Sequence, residues 1–230
     1  MKPPERRLHS SNLRSKFLTA LDLARNLGWP MFLAKIVPWL FVRRYYICSK
    51  SFQDLQPESP PVEVPVRLAL ATEKDLPAIM GLRPYYYELQ ALRDRLREGH
   101  LCFLGWMGDR LVHIRWIFVK SLHLPYLHRI LLLSPGQVLF DEAYTSPEFR
   151  ARGIFGAAGD FIRLKLRELG YTTGLSALAS WQVYSQTLAR RIEREKVAEV
   201  KIVNWPGFRK IYWKGAVQDH GHRKISIAGP

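Results

Sequence analysis

The chain has 230 residues, two cysteines and a formal net charge of +15. That length suits one ordinary domain with an appendage, and a 47% apolar content is enough for a true core. Cys48 and Cys102 are too few for a disulfide scaffold and point to a reducing compartment. No Cys/His spacing reads as a zinc site, and His220-Gly221-His222 reads as part of a polar tail, so no metal is expected.

The charge gathers at the ends. Residues 1–50 carry ten Lys/Arg against Glu5 and Asp22, and residues 201–230 carry six against Asp219. Such ends suit an anionic partner: a membrane surface, a nucleic acid or an acidic substrate. Residues 1–10 are polar and basic. A helix is predicted from Ser11, with Asn12 as a cap and Leu13, Phe17, Leu18, Leu21 and Ala24 as its apolar stripe. Trp29–Val42 is apolar but broken by Pro30, Lys35 and Pro38. It is shorter than the roughly twenty residues of a membrane span, and it starts too late for a signal peptide. It reads either as a segment lying on a membrane, with Trp29 and Trp39 at the interface, or as a helical lid packed on the rest of the protein. The expected location is cytoplasmic, with membrane contact through residues 1–50 left open.

Arg43–Cys48 is strand-like in composition. Pro57, Pro60, Pro61 and Pro65 mark a linker over residues 51–65. The expected division is therefore a basic amphipathic extension (1–50), the linker (51–65), a regular domain (66–214) and a mobile tail (215–230). Within the domain, Val66–Ala71 reads as a strand. Thr72-Glu73-Lys74-Asp75 is close to a capping box for a helix over Leu76–Leu82. Tyr85–His100 reads as a second helix with dense charge on one side. Leu101–Val119 reads as a hairpin turning at Met107–Arg110, its second arm placing His113 and Arg115 on one face and Val112, Ile114 and Trp116 on the other. His113 reads first as a half-exposed strand residue, since a base needs a positioned partner. Residues 120–137 give no clear pattern.

The stretch from Gln137 to Leu166 organises the rest. Val138–Thr145 is a strand, Ser146-Pro147-Glu148 interrupts it, and Arg150–Gly156 is a basic loop with two glycines. Ile154, Ala157, Ala158, Phe161, Ile162, Leu164, Leu166 and Leu169 then recur at helical spacing. A helix start of this kind suits phosphate, because first-turn N–H groups lack intrahelical partners and carry the positive end of the dipole. Gly153 lets an anion approach the backbone, and Arg150 and Arg152 add charge. Gly170 stops the helix. A strand over Thr172–Ala179, a short helix over Tyr184–Lys196 and strands over Val197–Asn204 and Phe208–Lys214 complete the domain.

Thr145-Ser146-Pro147-Glu148-Phe149-Arg150 followed by Ala151-Arg152-Gly153-Ile154 resembles motif A of the GNAT acyltransferases, whose loop reads Gln/Arg-x-x-Gly-x-Gly/Ala. Phe155 stands at the sixth position, with Gly156 one place later. The order of elements over Val66–Lys214 is similar to that family's. The resemblance implies an α+β, three-layer α/β/α fold with a mixed, mostly antiparallel sheet. It implies N-acetyl (acyl) transfer from acetyl-CoA, as co-substrate, to a primary amine. The pyrophosphate would lie on Arg150, Ala151, Arg152, Gly153, Ile154, Phe155 and Gly156, and the pantetheine and thioester on the backbone of Ala143, Tyr144 and Thr145.

An amine must lose a proton to attack, and Asp141 and Glu142 stand near the strand end. Simple alternation puts them on opposite faces, with Glu142 favoured slightly as base; a strand carboxylate satisfied by an arginine is the plainer reading. The family's next helix carries Asn-x-x-Ala/Ser-x-x-x-Tyr. Here Gln182 and Ser185 stand at the first two of those positions and Ala189 at the tyrosine, so Tyr184 is the nearby candidate for the proton donor. The competing reading is a non-catalytic basic protein that binds membrane or, less favoured, nucleic acid, with a degenerate acyl-CoA site.

Overall fold

The computed structural model describes residues 42–53, 65–83, 86–124, 129–180, 195–205, 208–220 and 224–227. The chain divides into two compact units, residues 1–43 with 202–210 and residues 44–201 with 211–230. Every site residue discussed below belongs to the second.

Twelve strands and three α-helices are described. The strands are β1 (Val42–Ser51), β2 (Arg67–Leu70), β3 (Leu101–Met107), β4 (Arg110–Phe118), β5 (Ser121–Leu124) and β6 (Arg129–Leu132). They continue with β7 (Gln137–Thr145), β8 (Thr173–Ala179), β9 (Glu195–Trp205), β10 (Phe208–Gly215), β11 (Val217–Asp219) and β12 (Lys224–Ile227). The helices are α1 (Leu76–Leu82), α2 (Leu89–Arg97) and α3 (Ile154–Glu168). Eight strands form the main sheet in the order β10-β9-β1-β8-β7-β4-β3-β2, and β11-β12-β6-β5 form a second. From β2 through β3 and β4 to β7 the pairing is antiparallel. β7 and β8 are parallel, joined by α3, as a crossover through a helix requires.

The β4 strand explains the layers. Its odd residues face α3, where Ile117 joins Phe52, Phe103, Val138, Phe140, Ala158, Ile162 and Leu166 in one core cluster. Its even residues face α2, whose Arg95 lies over Trp116 and Phe118. With helices on both faces, every β4 residue from Leu111 to Phe118 is buried. His113 is therefore wholly enclosed and not half-exposed, because the second layer covers the face that alternation alone would leave to water.

The α3 stripe is Ile154, Ala158, Ile162 and Leu166, all buried at four-residue spacing. Leu164 and Leu169 project to solvent. The capping box holds: Thr72 N–H donates to Asp75 Oδ2 at 2.8 Å, and the Thr72 hydroxyl donates to the same oxygen at 2.9 Å. The second helix is shorter than its charge pattern predicts, Leu89–Arg97.

Three expectations shift. Residues 42–51 lie in the main sheet between β9 and β8, since the aromatic and β-branched run Val42–Ile47 pairs better than it floats. The tail contributes β11 and β12, with β12 parallel to β6, which buries Ile225 and Ile227. The helix predicted over Tyr184–Lys196 lies outside the described residues up to 194, and Glu195 and Lys196 open β9. The amphipathic segment and most of the proline-rich linker also lie outside them. Among the described residues no helix is long and apolar enough to cross a membrane.

Candidate acyl-transfer site

Two irregularities in β7 shape the site. On the β4 side, Ile114 pairs with Tyr144 and Trp116 with Asp141. One β4 residue, Arg115, therefore faces two on β7, Glu142 and Ala143: a β-bulge. Glu142 takes φ 45°, uncommon for a residue with a Cβ. On the β8 side, pairing runs only from Gln137 with Thr173 to Phe140 with Ser176. β7 continues to Thr145 and β8 to Ala179, so the two strands part beyond that point. Among the described residues, Asp141–Thr145 thus have no ladder partner on the β8 side.

The bulge also changes the reach of the two carboxylates. Glu142 accepts two bonds from Arg95 of α2, at 2.6 and 2.8 Å. The guanidinium in turn stacks on Trp116 at 5.0 Å. Both oxygens of Glu142 are engaged, and the pair pins the bulge to α2. The side chain of Asp141 is open to solvent along one side, yet the protein packed around it raises its carboxyl above the usual aspartate range. A backbone hydrogen bond at Glu142 opposes that shift, and the Glu142 charge reinforces it.

After Thr145 the chain is held turn by turn. Ser146 N–H donates to Val112 O at 2.9 Å, and Phe149 N–H to Ser146 O at 2.9 Å. Arg150 Nε donates to Thr145 O at 3.1 Å. Glu148 pairs with Arg110, the first residue of β4. Ala151 at φ 60° and Gly153 at φ 77° fold the loop back, and Gly153 serves as the N-cap of α3. Ala151 and Arg152 are exposed, and Ile154 is buried against the sheet. The Phe155 ring, at the position where the GNAT pattern has Gly or Ala, packs down toward the sheet. It lies 4.9 Å from the Arg115 guanidinium and edge-on to His113 at 6.1 Å.

His113 is the neutral post beneath this loop. Its Nδ1 is 2.8 Å from Thr145 Oγ1, and burial, with Arg115 adding, lowers its pKa from the usual 6.5 to about 3. Arg115 is held between Phe140 and Phe155 at 4.8 and 4.9 Å.

A strand, then a loop turning through a left-handed glycine into the crossover helix, is the order of elements that the sequence resemblance implies. The mixed, mostly antiparallel sheet and the order of its elements are those expected from the resemblance to the GNAT acyltransferases. No protein-family model matches the sequence, and no curated protein matches it. Among solved structures the fold here is similar to a functionally unknown conserved protein from Staphylococcus epidermidis (TM-score 0.46, 11% identity, 80% of this chain and 63% of that one). It is similar to an aminoglycoside 6'-N-acetyltransferase from Acinetobacter baumannii (TM-score 0.43, 14% identity, 56% of this chain and 89% of that one). It is also similar to a ribosomal-protein-alanine N-acetyltransferase from Brucella melitensis (TM-score 0.42, 16% identity, 56% and 90%).

The fold brings Asp141, Glu142, Ala143, Tyr144 and Thr145 together with Arg150–Gly156 on one strand–loop–helix unit. Tyr184, Gln182 and Ser185 lie outside the described residues. Arg95, Arg83 and Arg115 were not singled out in the sequence. Arg95 left a signal there: it follows Leu92 by three residues, on the apolar side of α2, where an unpaired charge would be costly.

Proposed function

We propose that this chain is an N-acyltransferase that moves an acetyl (acyl) group from acetyl-CoA to a primary amine. The observation that carries the reading is the parting of β7 from β8 beyond Phe140, immediately before the Gly153 turn. Parted strands leave backbone groups of Ala143–Thr145 available to an extended pantetheine arm, apart from the Thr145 carbonyl, which accepts from Arg150. The first-turn amides of α3, with Arg150 and Arg152, suit the diphosphate that follows it.

Asp141 takes the part of general base. Its raised carboxyl is a better proton acceptor near neutral pH than an ordinary aspartate, and its side chain remains open. The acceptor's ammonium gives up a proton to Asp141, and the free amine attacks the thioester carbonyl. The C–N bond forms, the C–S bond breaks, and CoA leaves as thiolate to be protonated. Glu142, with both oxygens on Arg95, fixes the bulge that presents the strand. Strand amides held in this way stabilise the oxyanion without reorganising.

Calorimetric titration with acetyl-CoA tests the reading. Wild type is expected to bind, with Arg152→Ala weakening affinity by about tenfold, the scale of one charge-assisted contact, and Gly153→Asp abolishing it. Unchanged affinity in both variants would refute the site. Thiol release over a panel of amines then reports turnover.

A further inference from the structure

Arg83, at the C-terminal end of α1, is unlike the other arginines of this face. Arg95 is spent on Glu142 and Arg110 on Glu148. Among the described residues Arg83 has no carboxylate partner; its guanidinium lies in a nest of tyrosine rings. It is 3.4 Å from the Tyr86 centroid, 4.8 Å from Tyr144 and 5.9 Å from Tyr87. Stacking fixes the plane of a guanidinium while leaving its N–H edge to donate, which is how an arginine is prepared for a bidentate anion. The nest adjoins the reacting strand, because Tyr144 follows the Glu142 bulge by two residues. It also borders a groove of about 430 Å³ walled by Gly81, Leu82, Trp106, Tyr144, Ser146 and Glu148. Three residues before Tyr144 on the same strand stands Asp141, an exposed carboxylate that attracts an ammonium group. Over the Tyr144 ring lies a stacked cation with no counter-charge among the described residues.

We propose that Arg83 receives a carboxylate on the acceptor, so that the preferred amine belongs to an amino acid or similarly zwitterionic molecule. This rests on the acyltransferase reading above. A ligand with one positive and one negative end satisfies both groups, and an alkylammonium without a carboxylate satisfies one. A bidentate charge-assisted contact of this kind is worth about 10- to 100-fold in selectivity. Polyamine acceptors are disfavoured, since a second ammonium would meet Arg83.

The test pairs amines of matched basicity and length: β-alanine with n-propylamine, γ-aminobutyrate with n-butylamine, and δ-aminovalerate with n-pentylamine. Thiol release gives kcat/KM for each member. The expected result in wild type is a carboxylate advantage of about 10- to 100-fold in at least one pair. It should fall to near unity in Arg83→Gln and be partly kept in Arg83→Lys. Acetyl-CoA affinity, read separately by calorimetry, stays within about twofold of wild type in both variants, well short of a tenfold loss. Equal rates within every wild-type pair would overturn the assignment while leaving the acyltransferase reading intact. Loss of acetyl-CoA affinity in Arg83→Gln would overturn it by giving Arg83 to the cofactor's phosphates. Failure of wild type to bind acetyl-CoA would remove both readings together.

Discussion

Replacing Arg95 with methionine tests whether the β7 bulge is clamped from α2. The change keeps the apolar stem and removes two charge-assisted bonds to Glu142, at 2.6 and 2.8 Å. Breaking a buried pair by removing one partner costs about 3–5 kcal/mol, because the other charge stays behind. Here the side chains of Arg95 and Glu142 keep 11% and 17% of their exposure, so water relieves part of that cost. Lost stacking on Trp116 and Phe118 returns about 0.5–1 kcal/mol of it. The expected loss is therefore about 3 kcal/mol at pH 7. Urea unfolding of wild type, Arg95→Met, Glu142→Gln and the double variant gives the pairwise energy directly. The double variant should be about 2 kcal/mol more stable than the summed singles imply, as befits a partly buried charge pair. Additivity within about 0.5 kcal/mol would show that the two side chains act independently and that the bulge is held by something else. Because Glu142 sits at φ 45°, releasing it should also let the strand relax. Turnover should then fall by about tenfold or more, as small misplacements near a reacting centre do.

The acid limb of stability should belong largely to His113. Its folded pKa lies below its unfolded one, so between about 6.5 and 3 the unfolded chain binds the extra proton. Stability is full above that window and falls through it by as much as roughly 3–5 kcal/mol. His113→Gln should flatten this limb in urea midpoints taken from pH 7 to pH 4, and an unchanged limb would exclude His113 as its source. Asp141→Asn should lower kcat by about 10²- to 10⁴-fold. In wild type, kcat/KM should rise with pH through a pKa above the usual aspartate value, and persistence of that rise in Asp141→Asn would place the base elsewhere. Gly174→Ala puts a methyl group against the Phe140 ring and within 2.7 Å of Phe52. Overpacking of about 1–3 kcal/mol should appear as a lowered Tm, and no change would mean that both rings shift freely.

Local rules made much of this fold legible. The capping box at Thr72–Asp75, the hairpin at Met107–Arg110 and the α3 stripe depend on neighbours a few residues apart. The 3.6- and 2-residue periods report such neighbours well. The second sheet was not legible, because β12 pairs with β6 across more than ninety residues of chain, and no period spans that distance. The loop at Arg150–Gly156 could be read from its glycine and arginines. The fate of Asp141 and Glu142 could not, since it depends on one extra residue in β7 and on Arg95 arriving from another element. Alternation assigns faces only while the ladder is regular, and a bulge resets it. The ring of Phe155, which stands where the GNAT pattern has Gly or Ala, found its place on Arg115, which lies forty residues earlier on β4.

The position of β1 sets where the protein can be cut. Its register against β8 runs from Tyr45 with Ala179 to Ser51 with Thr173, and Phe52 behind it enters the core against Phe140 at 6.1 Å. A fragment begun at Val66, the edge suggested by the proline-rich stretch, would strip β8 of that neighbour and remove a wholly enclosed aromatic ring. The bared strand would then offer its unsatisfied amides to another copy, the usual route to edge-to-edge association. Expression boundaries for this protein therefore belong before Val42, however separable the N-terminal third looks on paper.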